Sequence, residues 1–367
     1  MWVSMSILNK NYLTTIYLTI LLVILIYVNL GLSTGIQIES PTNIKFDRST
    51  NTLNLSSMTL RQKIAQMFVT SGKMANREIL QNMVVGGIHL GGMSSKQDFI
   101  NTINYFQNNS VIPFLLTVDM EGCINPFENF QNFSSLKEIV TTQQAFQVGS
   151  DEGKMMKDLN MTIDFSPVVD LNDTIWNCRN FLGTPQEIAD KAVAYINGIQ
   201  SQGIIATAKH YPGKTLTLAD PHTSLVYATI DENDLLPFRD AIRNNVSAIM
   251  VDHVIANGSV DSQGKPSDAS QQLVANLRAN FSGLVVTDET SMLGLRNFYS
   301  NIDQVTVEVF KANNDLILYI NINSDPNNLY HAISVVEDAV NRGEISEKRI
   351  DDSVTKILSI KGISVVT

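Results

Sequence analysis

Clusters of basic residues and recognisable metal-ligand motifs are missing from this sequence, and each absence excludes a class of function. The 367 residues include 26 Lys and Arg against 36 Asp and Glu, a net charge of −10, and contain no basic run. We expect no nucleic-acid partner, because phosphate binding needs clustered Lys and Arg. The histidine spacings fit no motif of the H-E-x-x-H type, so we expect neither a metal nor another cofactor.

Cysteine is also scarce, since Cys123 and Cys178 are the only two. An even number permits one disulfide in an exported chain, and two buried free thiols are the alternative. With 44% hydrophobic and 17% charged residues, the chain has the composition of a globular protein. It is long enough to bury one large core.

Long hydrophobic runs are few, and the exception lies near the N-terminus. Residues 12–32 carry no charge, and roughly 20 apolar residues suffice to cross a bilayer. Because a signal peptide usually has a shorter apolar core, we predict an uncleaved membrane anchor, with a cleaved signal peptide as the alternative. Residues 1–11 would be a tail, and the Ser-, Thr- and Asn-rich residues 33–57 a linker. With Lys10 inside the cell, the remainder would lie on the extracellular face of the membrane, or be secreted after cleavage.

Short apolar runs alternate with stretches of helical periodicity over the rest of the chain. Such runs between helices are typical of parallel strands buried on both faces. Eight units of this kind predict an α/β fold, a single (β/α)8 TIM-like barrel domain over residues 58–367. An open doubly wound sheet is the alternative, weakened because no Gly-rich dinucleotide motif follows the first run. The runs are Ile64–Thr70, Val84–Leu90, Phe114–Asp119, Met161–Val169, Ile204–Lys209, Ala248–Val251, Leu284–Asp288 and Leu316–Ile320.

Polar residues follow these runs at the positions where the strands of a barrel would end. Because the chemistry of a barrel enzyme lies at the carboxyl ends of its strands, we predict an active site on that face. The residues at the predicted strand ends are Asp119 and Glu121, Asp170, Lys209 and His210, Asp252 and His253, and Asp288 and Glu289.

The loop after the fifth run contains Asp220 and His222, separated by one residue. A carboxylate at this spacing can hydrogen-bond the imidazole and raise its basicity, which makes the two residues a candidate proton-transfer dyad. The alternative is a pair of polar residues on a solvated turn. Asp288 could act as a nucleophile, a metal ligand or a helix cap. Together with a proton donor, it fits a retaining glycosidase.

Several motifs in the same order resemble those of family 3 glycoside hydrolases, and more narrowly their single-domain β-N-acetylglucosaminidase branch. The resemblance extends from about Met58 to the C-terminus. It is carried by Lys209-His210-Tyr211-Pro212-Gly213 with Asp220-Pro221-His222, by Val118-Asp119-Met120-Glu121-Gly122, by Asp164-Phe165-Ser166-Pro167-Val168-Val169-Asp170, by Arg179-Asn180-Phe181 and by Thr287-Asp288-Glu289-Thr290-Ser291-Met292.

The resemblance implies an exo-acting, retaining β-N-acetylhexosaminidase that releases terminal GlcNAc from a β-linked amino-sugar glycan. Asp288 would be the nucleophile, His222 the general acid and base, and Asp220 the residue that orients His222. A β-glucosidase or a glycoside phosphorylase of the same family is the alternative among enzymes, and a catalytically silent glycan-binding protein is the alternative of another class. The residues implied to hold sugar hydroxyls are Asp119, Arg179, Lys209 and His210.

Two departures from the family pattern leave the substrate open. Residues 123–127 (CINPF) stand where the family has G-R-V, so an arginine that contacts the sugar is lost. Lys214 and Thr215 stand where the family has H-G. Cys123 and Cys178 follow consecutive predicted strands, and a disulfide that stiffens the altered site is our hypothesis.

Overall fold

Parallel strands surrounded by helices form the body of the protein. The computed structural model describes residues 15, 17, 38, 40–72, 77–121, 123–217, 219–220, 222–320 and 325–367. The strands in these ranges are β1 (Phe46–Asp47), β2 (Thr52–Asn54), β3 (Phe68–Ser71), β4 (Gly87–His89), β5 (Leu115–Val118), β6 (Ile163–Asp164), β7 (Ile205–Tyr211), β8 (Tyr227–Ile230), β9 (Ala248–Val251), β10 (Ile255–Gly258), β11 (Leu284–Glu289), β12 (Leu316–Tyr319) and β13 (Ser364–Val366).

The helices lie mainly in the connections between these strands. Those in the described ranges are α1 (Leu60–Gln66), α2 (Arg77–Met83), α3 (Lys96–Gln107), α4 (Thr142–Asp158), α5 (Pro185–Ser201), α6 (Glu232–Arg243), α7 (Gln271–Arg278), α8 (Leu293–Tyr299), α9 (Ile302–Lys311), α10 (Pro326–Asn341) and α11 (Glu347–Ile360). Short 3-10 turns occur at Leu55–Ser57, Leu136–Glu138 and Ser267–Ala269.

Eight of the strands close into a barrel in the order β3-β4-β5-β6-β7-β9-β11-β12, with β12 paired to β3. All neighbours are parallel, so the carboxyl ends of the strands share one face. The predicted (β/α)8 barrel is therefore confirmed. Each predicted apolar run overlaps one barrel strand, because Val, Ile and Leu fill the interface between the barrel and its helices.

The first predicted strand differs from the observed one at its start. Ile64 to Gln66 belong to α1, and the strand begins only at Phe68. The helix forms because Thr59 caps it: the Thr59 side chain accepts from the Gln62 N–H, and the Gln62 side chain accepts from the Thr59 N–H.

The predicted linker is wrong for residues 40–57, because Ser40–Thr367 form one compact unit. Strand β2 pairs antiparallel with β1 and parallel with β13, near the end of the chain. Leu53 in β2 is completely buried. The segment is mostly polar, and only a few of its residues make apolar contacts in this small sheet. The sequence therefore gives no pattern from which the sheet could be predicted.

The predicted anchor or signal segment, residues 12–32, lies outside the described residues except for Thr15 and Tyr17. Within the described ranges, no helix has the length and apolar character needed to span a membrane. The anchor and the extracellular location therefore stay predictions.

Candidate active site

A cavity of about 500 Å³ lies at the carboxyl ends of the barrel strands. Its volume falls within the roughly 300–1,000 Å³ of small-ligand sites. A larger cavity of about 840 Å³ lies near the opposite ends of β7 and β11 and is lined by none of the predicted site residues. The polar residues that line the smaller cavity are Ser71, His89, Asp119, Glu121, Trp176, Arg179, Lys209, His210, Thr215, His222, Asp288 and Glu289.

The structure brings six of the seven predicted site residues to this cavity, and the seventh, Asp220, reaches it through a hydrogen bond to His222. Asp119 directly follows β5, and Arg179 lies in the connection after β6. Lys209 and His210 are part of β7, while Asp288 is the penultimate residue of β11. The carboxyl ends of parallel strands meet at one face, which explains why residues so distant in sequence converge.

Buried charges of both signs form one wall. Lys209 Nζ lies 2.8 Å from Asp119 Oδ1 and also pairs with Glu121. Arg179 Nη2 lies 2.7 Å from Glu121 Oε2. Burial would raise the pKa of Glu121, but Lys209 and Arg179 hold it well below its ordinary value. Glu121 is therefore a carboxylate that pairs with two cations at the cavity, one of which it shares with Asp119.

His210 is oriented by a buried carboxylate. Asp170 Oδ2 lies 3.0 Å from both the backbone N and the Nδ1 atom of His210. The other oxygen of Asp170 accepts from the Thr215 N–H at 3.0 Å. Because Asp170 occupies the Nδ1 side of the ring, the Nε2 atom of His210 is directed toward Arg179 at 3.5 Å. The strand end and the following loop are thus joined through one side chain.

The surroundings of Asp288 favour the charged form of its carboxylate. Burial would raise the pKa of Asp288, but His210, His253 and the Glu289 N–H hold it below its ordinary value. The Glu289 N–H donates to Asp288 Oδ1 at 2.7 Å. An ionised carboxylate in a ligand-sized cavity can act as a nucleophile or stabilise a developing positive charge.

His253 is a second source of positive charge beneath Asp288. Its Nδ1 atom lies 3.0 Å from Asp268 Oδ2, and its Nε2 atom donates to the Glu289 carbonyl at 3.0 Å. Burial would lower the pKa of His253, but the Asp268 carboxylate raises it to about 10. The sequence placed His253 at a strand end but gave it no role, because Asp268 becomes its partner only in the folded chain.

Asp220 and His222 have the geometry predicted for the dyad. His222 Nδ1 lies 2.8 Å from Asp220 Oδ1, which leaves Nε2 on the other side of the ring for proton transfer. The two side chains are 50% and 35% exposed, so the dyad is at the mouth of the cavity. The Leu293 N–H donates to the His222 carbonyl at 3.3 Å, which joins this loop to the start of α8.

A disulfide links two loops that border the cavity. Cys123 and Cys178 are bonded, with their Cα atoms 5.6 Å apart, as our hypothesis for the altered loop predicted. Trp176 lies on the same loop as Cys178 and lines the cavity. Its ring is 4.6 Å from the Arg179 guanidinium, within the range of a cation–π contact.

The two family departures at residues 214 and 215 have different positions. Lys214 lies away from the cavity lining, with its Nζ 2.8 Å from Asp234 Oδ2 on α6. Thr215 lines the cavity and donates to the buried Asp252 carboxylate. Of these two departures, Thr215 is therefore the one that can alter the site.

Comparison with known proteins settles the family. Residues 59–360 match the Glycosyl hydrolase family 3 N terminal domain. The chain belongs to this family. The match covers most of the folded unit and confirms the resemblance carried by the motifs.

Curated relatives share about a quarter of their residues with this family 3 chain. The Beta-hexosaminidase LpqI of Mycobacterium tuberculosis is 26% identical over 326 residues, which are 82% of each chain. The Beta-N-acetylglucosaminidase/beta-glucosidase of Cellulomonas fimi is 26% identical over 335 residues, 84% of this chain and 58% of the relative. The chain thus spans somewhat over half the length of the latter.

Solved structures of the family have the same barrel. The structure of M. tuberculosis LpqI has a TM-score of 0.76 at 25% identity, covering 84% of this chain and 95% of that chain. A family 3 β-N-acetylglucosaminidase from Paenibacillus sp. has a TM-score of 0.75 at 26% identity, covering 83% and 62%.

Proposed function

We propose that this protein is an exo-acting, retaining β-N-acetylhexosaminidase that releases terminal GlcNAc from β-linked amino-sugar glycans. The observation that carries the proposal is the Asp220–His222 dyad at the mouth of the cavity that Asp288 lines. The likeness to the Beta-hexosaminidase LpqI of M. tuberculosis, over 82% of this chain, supports the amino-sugar substrate. A protein that only binds glycans needs neither a charged nucleophile nor a proton-transfer dyad.

In the first step, an Asp288 oxygen attacks the anomeric carbon while the bond from that carbon to the leaving oxygen breaks. His222 Nε2 donates its proton to the leaving oxygen, so the aglycone departs as a neutral alcohol. Asp220 hydrogen-bonds Nδ1 and stabilises the imidazolium before the transfer.

In the second step, the neutral His222 removes a proton from water as the water oxygen attacks the anomeric carbon. The bond to Asp288 breaks, and the carboxylate is regenerated with the imidazolium. Two displacements on one carbon retain the β configuration.

Lys209, Arg179, Asp119 and His210 would hold the sugar hydroxyls. Their mutual ion pairs and hydrogen bonds fix them before substrate arrives, which reduces the ordering required on binding. Asp119 is the most accessible of the carboxylates in this cluster, with its side chain 32% exposed, and is suited to accept from a hydroxyl pair.

A glycoside phosphorylase is the second candidate, and the histidine dyad is the observation that favours it. An imidazole that has given up its proton is neutral, so it does not repel an incoming phosphate as a carboxylate base would. Phosphate would then take the place of water in the second step.

The test compares aryl β-GlcNAc with aryl β-glucose as substrates, with and without inorganic phosphate, for the wild type and Asp288→Ala. We expect hydrolysis of the GlcNAc substrate without phosphate and a loss of about 10³-fold or more in the variant. Asp190→Ala, an exposed change on α5, serves as the matched control. Equal rates for wild type and Asp288→Ala contradict the nucleophile, activity on glucose alone contradicts the substrate, and a requirement for phosphate favours the phosphorylase.

We propose in addition that residues 12–32 anchor the enzyme on the extracellular face of the membrane, or direct its secretion if cleaved. The uncharged run supports this proposal. Cell fractionation of the full chain, with mass measurement of the N-terminus, distinguishes an anchored from a cleaved chain. A full-length chain in the soluble cell fraction would contradict both.

A further inference from the structure

The loop of residues 173–179 is wound around one carboxylate. Asp173 Oδ1 accepts from the N–H groups of Ile175 and Trp176, at 3.2 and 2.8 Å. Asp173 Oδ2 accepts from those of Cys178 and Arg179, at 3.0 and 2.9 Å. Four backbone bonds to a buried side chain fix the path of this loop.

Two further contacts attach the loop to the sugar-binding wall. The disulfide joins Cys178 to Cys123, two residues after Glu121. Arg179 pairs with Glu121 and at the same time lies against the Trp176 ring. The indole of Trp176 therefore lies on a loop that the disulfide and the Arg179–Glu121 ion pair attach to the barrel.

The same loop contacts the loop that carries the dyad. The Thr174 N–H donates to the Leu216 carbonyl at 3.0 Å, and Thr174 Oγ1 donates to the Thr217 carbonyl at 3.0 Å. Beyond these backbone contacts, the rings of Trp176 and His222 meet edge to face, with centroids 5.5 Å apart and planes at 80°.

Asp220 alone does not place the His222 ring relative to the barrel. It lies two residues from His222 on the same loop, so it moves with the ring that it orients. The bond from Leu293 holds the His222 backbone and leaves rotation about the side-chain bonds open. Trp176 is the contact that links the imidazole itself to a separately anchored loop.

We infer that Trp176 is a positioning residue for the general acid: its indole fixes the His222 ring at the angle from which Nε2 reaches the leaving oxygen. This inference rests on the proposed function, because it requires His222 to be the proton donor. The established family membership assigns no such role to Trp176. The competing role for Trp176 is a surface on which a sugar ring stacks.

Leaving-group dependence separates the two roles. In the first step a dinitrophenolate departs without a proton, whereas a phenolate or alkoxide needs one, so a misplaced acid lowers kcat/KM only for the second kind of substrate. A lost stacking surface weakens binding of every substrate that carries the same sugar, and it raises KM whatever the leaving group.

The experiment measures kcat and KM on dinitrophenyl, nitrophenyl and phenyl β-GlcNAc for the wild type, Trp176→Leu, Trp176→Phe and His222→Ala. We expect Trp176→Leu to lower kcat/KM on the phenyl substrate about tenfold more than on the dinitrophenyl substrate, since general acid catalysis contributes about 10²–10⁴-fold in all. Trp176→Phe keeps an aromatic edge and should recover most of the loss. Thr174→Val, which removes the Oγ1 contacts with the Leu216 and Thr217 carbonyls and keeps the backbone bond to Leu216, should show a smaller effect of the same kind.

Two outcomes overturn the inference, and they are distinguishable. If kcat/KM of His222→Ala depends on the leaving group but Trp176→Leu lowers kcat/KM equally on all three substrates, Trp176 does not position the acid while the proposed function stands. If His222→Ala itself shows no such dependence, His222 is not the acid and both proposals fail. Activity of each variant on the dinitrophenyl substrate shows that it has folded.

Discussion

Glu121 and Arg179 form an ion pair in which both side chains are only 6% exposed, with Nη2 2.7 Å from Oε2. Lys209 contacts the other oxygen of Glu121. Glu121 therefore contacts two buried cations at the cavity, and Asp119 is the second partner of Lys209. Removing one partner of a buried pair leaves an uncompensated charge in a poorly solvated place, which costs more than the pair itself contributes.

Glu121→Gln should therefore destabilise the fold by about 3–5 kcal/mol and raise KM, because Lys209 and Arg179 would repel one another. Denaturant unfolding and steady-state kinetics on the aryl β-GlcNAc substrate measure the two effects. Glu232→Gln is the matched control: it breaks an exposed pair with Arg239 and should cost far less. Equal losses of unfolding free energy in the two variants would show that the buried pair contributes no more to stability than the exposed pair.

The disulfide should stabilise the fold, because it closes a loop with a sequence separation of 55 residues. Replacing both Cys123 and Cys178 by Ser should lower the free energy of unfolding by about 2–5 kcal/mol. Reductant should lower the unfolding midpoint of the wild type and leave that of the double variant unchanged. Mass measurement after alkylation checks the bond, and alkyl groups on the unreduced native protein would contradict it.

Asp164 should make stability depend on pH. This residue at the end of β6 is fully buried, accepts from the Met120 N–H at 3.1 Å, and has a pKa raised by burial to about 8. Between the ordinary pKa of 3.8 and about 8, the unfolded chain is ionised while the folded chain keeps the proton. The free energy of unfolding should therefore fall as pH rises through this window, by up to about 1.4 kcal/mol per pH unit.

Asp164→Asn keeps an oxygen that accepts from the Met120 N–H and removes the titrating group. From pH 5 to pH 8, the free energy of unfolding of the wild type should therefore fall relative to that of Asp164→Asn. Thermal unfolding across this range measures the difference. The exposed change Asp190→Asn on α5 is the control, and parallel pH curves for wild type and Asp164→Asn would exclude a raised pKa at this position.

Leu53 tests whether residues 40–57 belong to the folded unit. Its side chain is 0% exposed in β2, so Leu53→Ala should cost about 2–5 kcal/mol. Leu182→Ala, at a side chain that is 50% exposed, should cost far less. A loss of unfolding free energy in Leu53→Ala no greater than in the control would indicate that residues 40–57 are a linker.

The barrel could be predicted because its strands are continuous apolar runs, whose burial depends on local composition. The candidate site could be predicted because a barrel places its strand ends together, so that Asp119, Lys209 and Asp288 meet without any knowledge of distances. The roles of these residues remain proposals.

What the sequence concealed depends on contacts between distant segments. Asp268 favours the charged form of His253, and the proposed role of Trp176 depends on its contact with His222 on another loop. The short strands of the N-terminal segment contain few apolar residues, and β2 is recognisable as a strand only beside β13. Neither kind of feature leaves a periodic pattern.

The pairing of β2 with β13 also sets an order of events during synthesis. A ribosome makes Asn54 long before its partner Val366, so the small sheet cannot be complete until β13 has been synthesised. Until then β2 has only β1 beside it, and an isolated two-stranded hairpin is marginal in water. The small sheet of the N-terminal segment should therefore be completed only after all eight barrel strands have been synthesised.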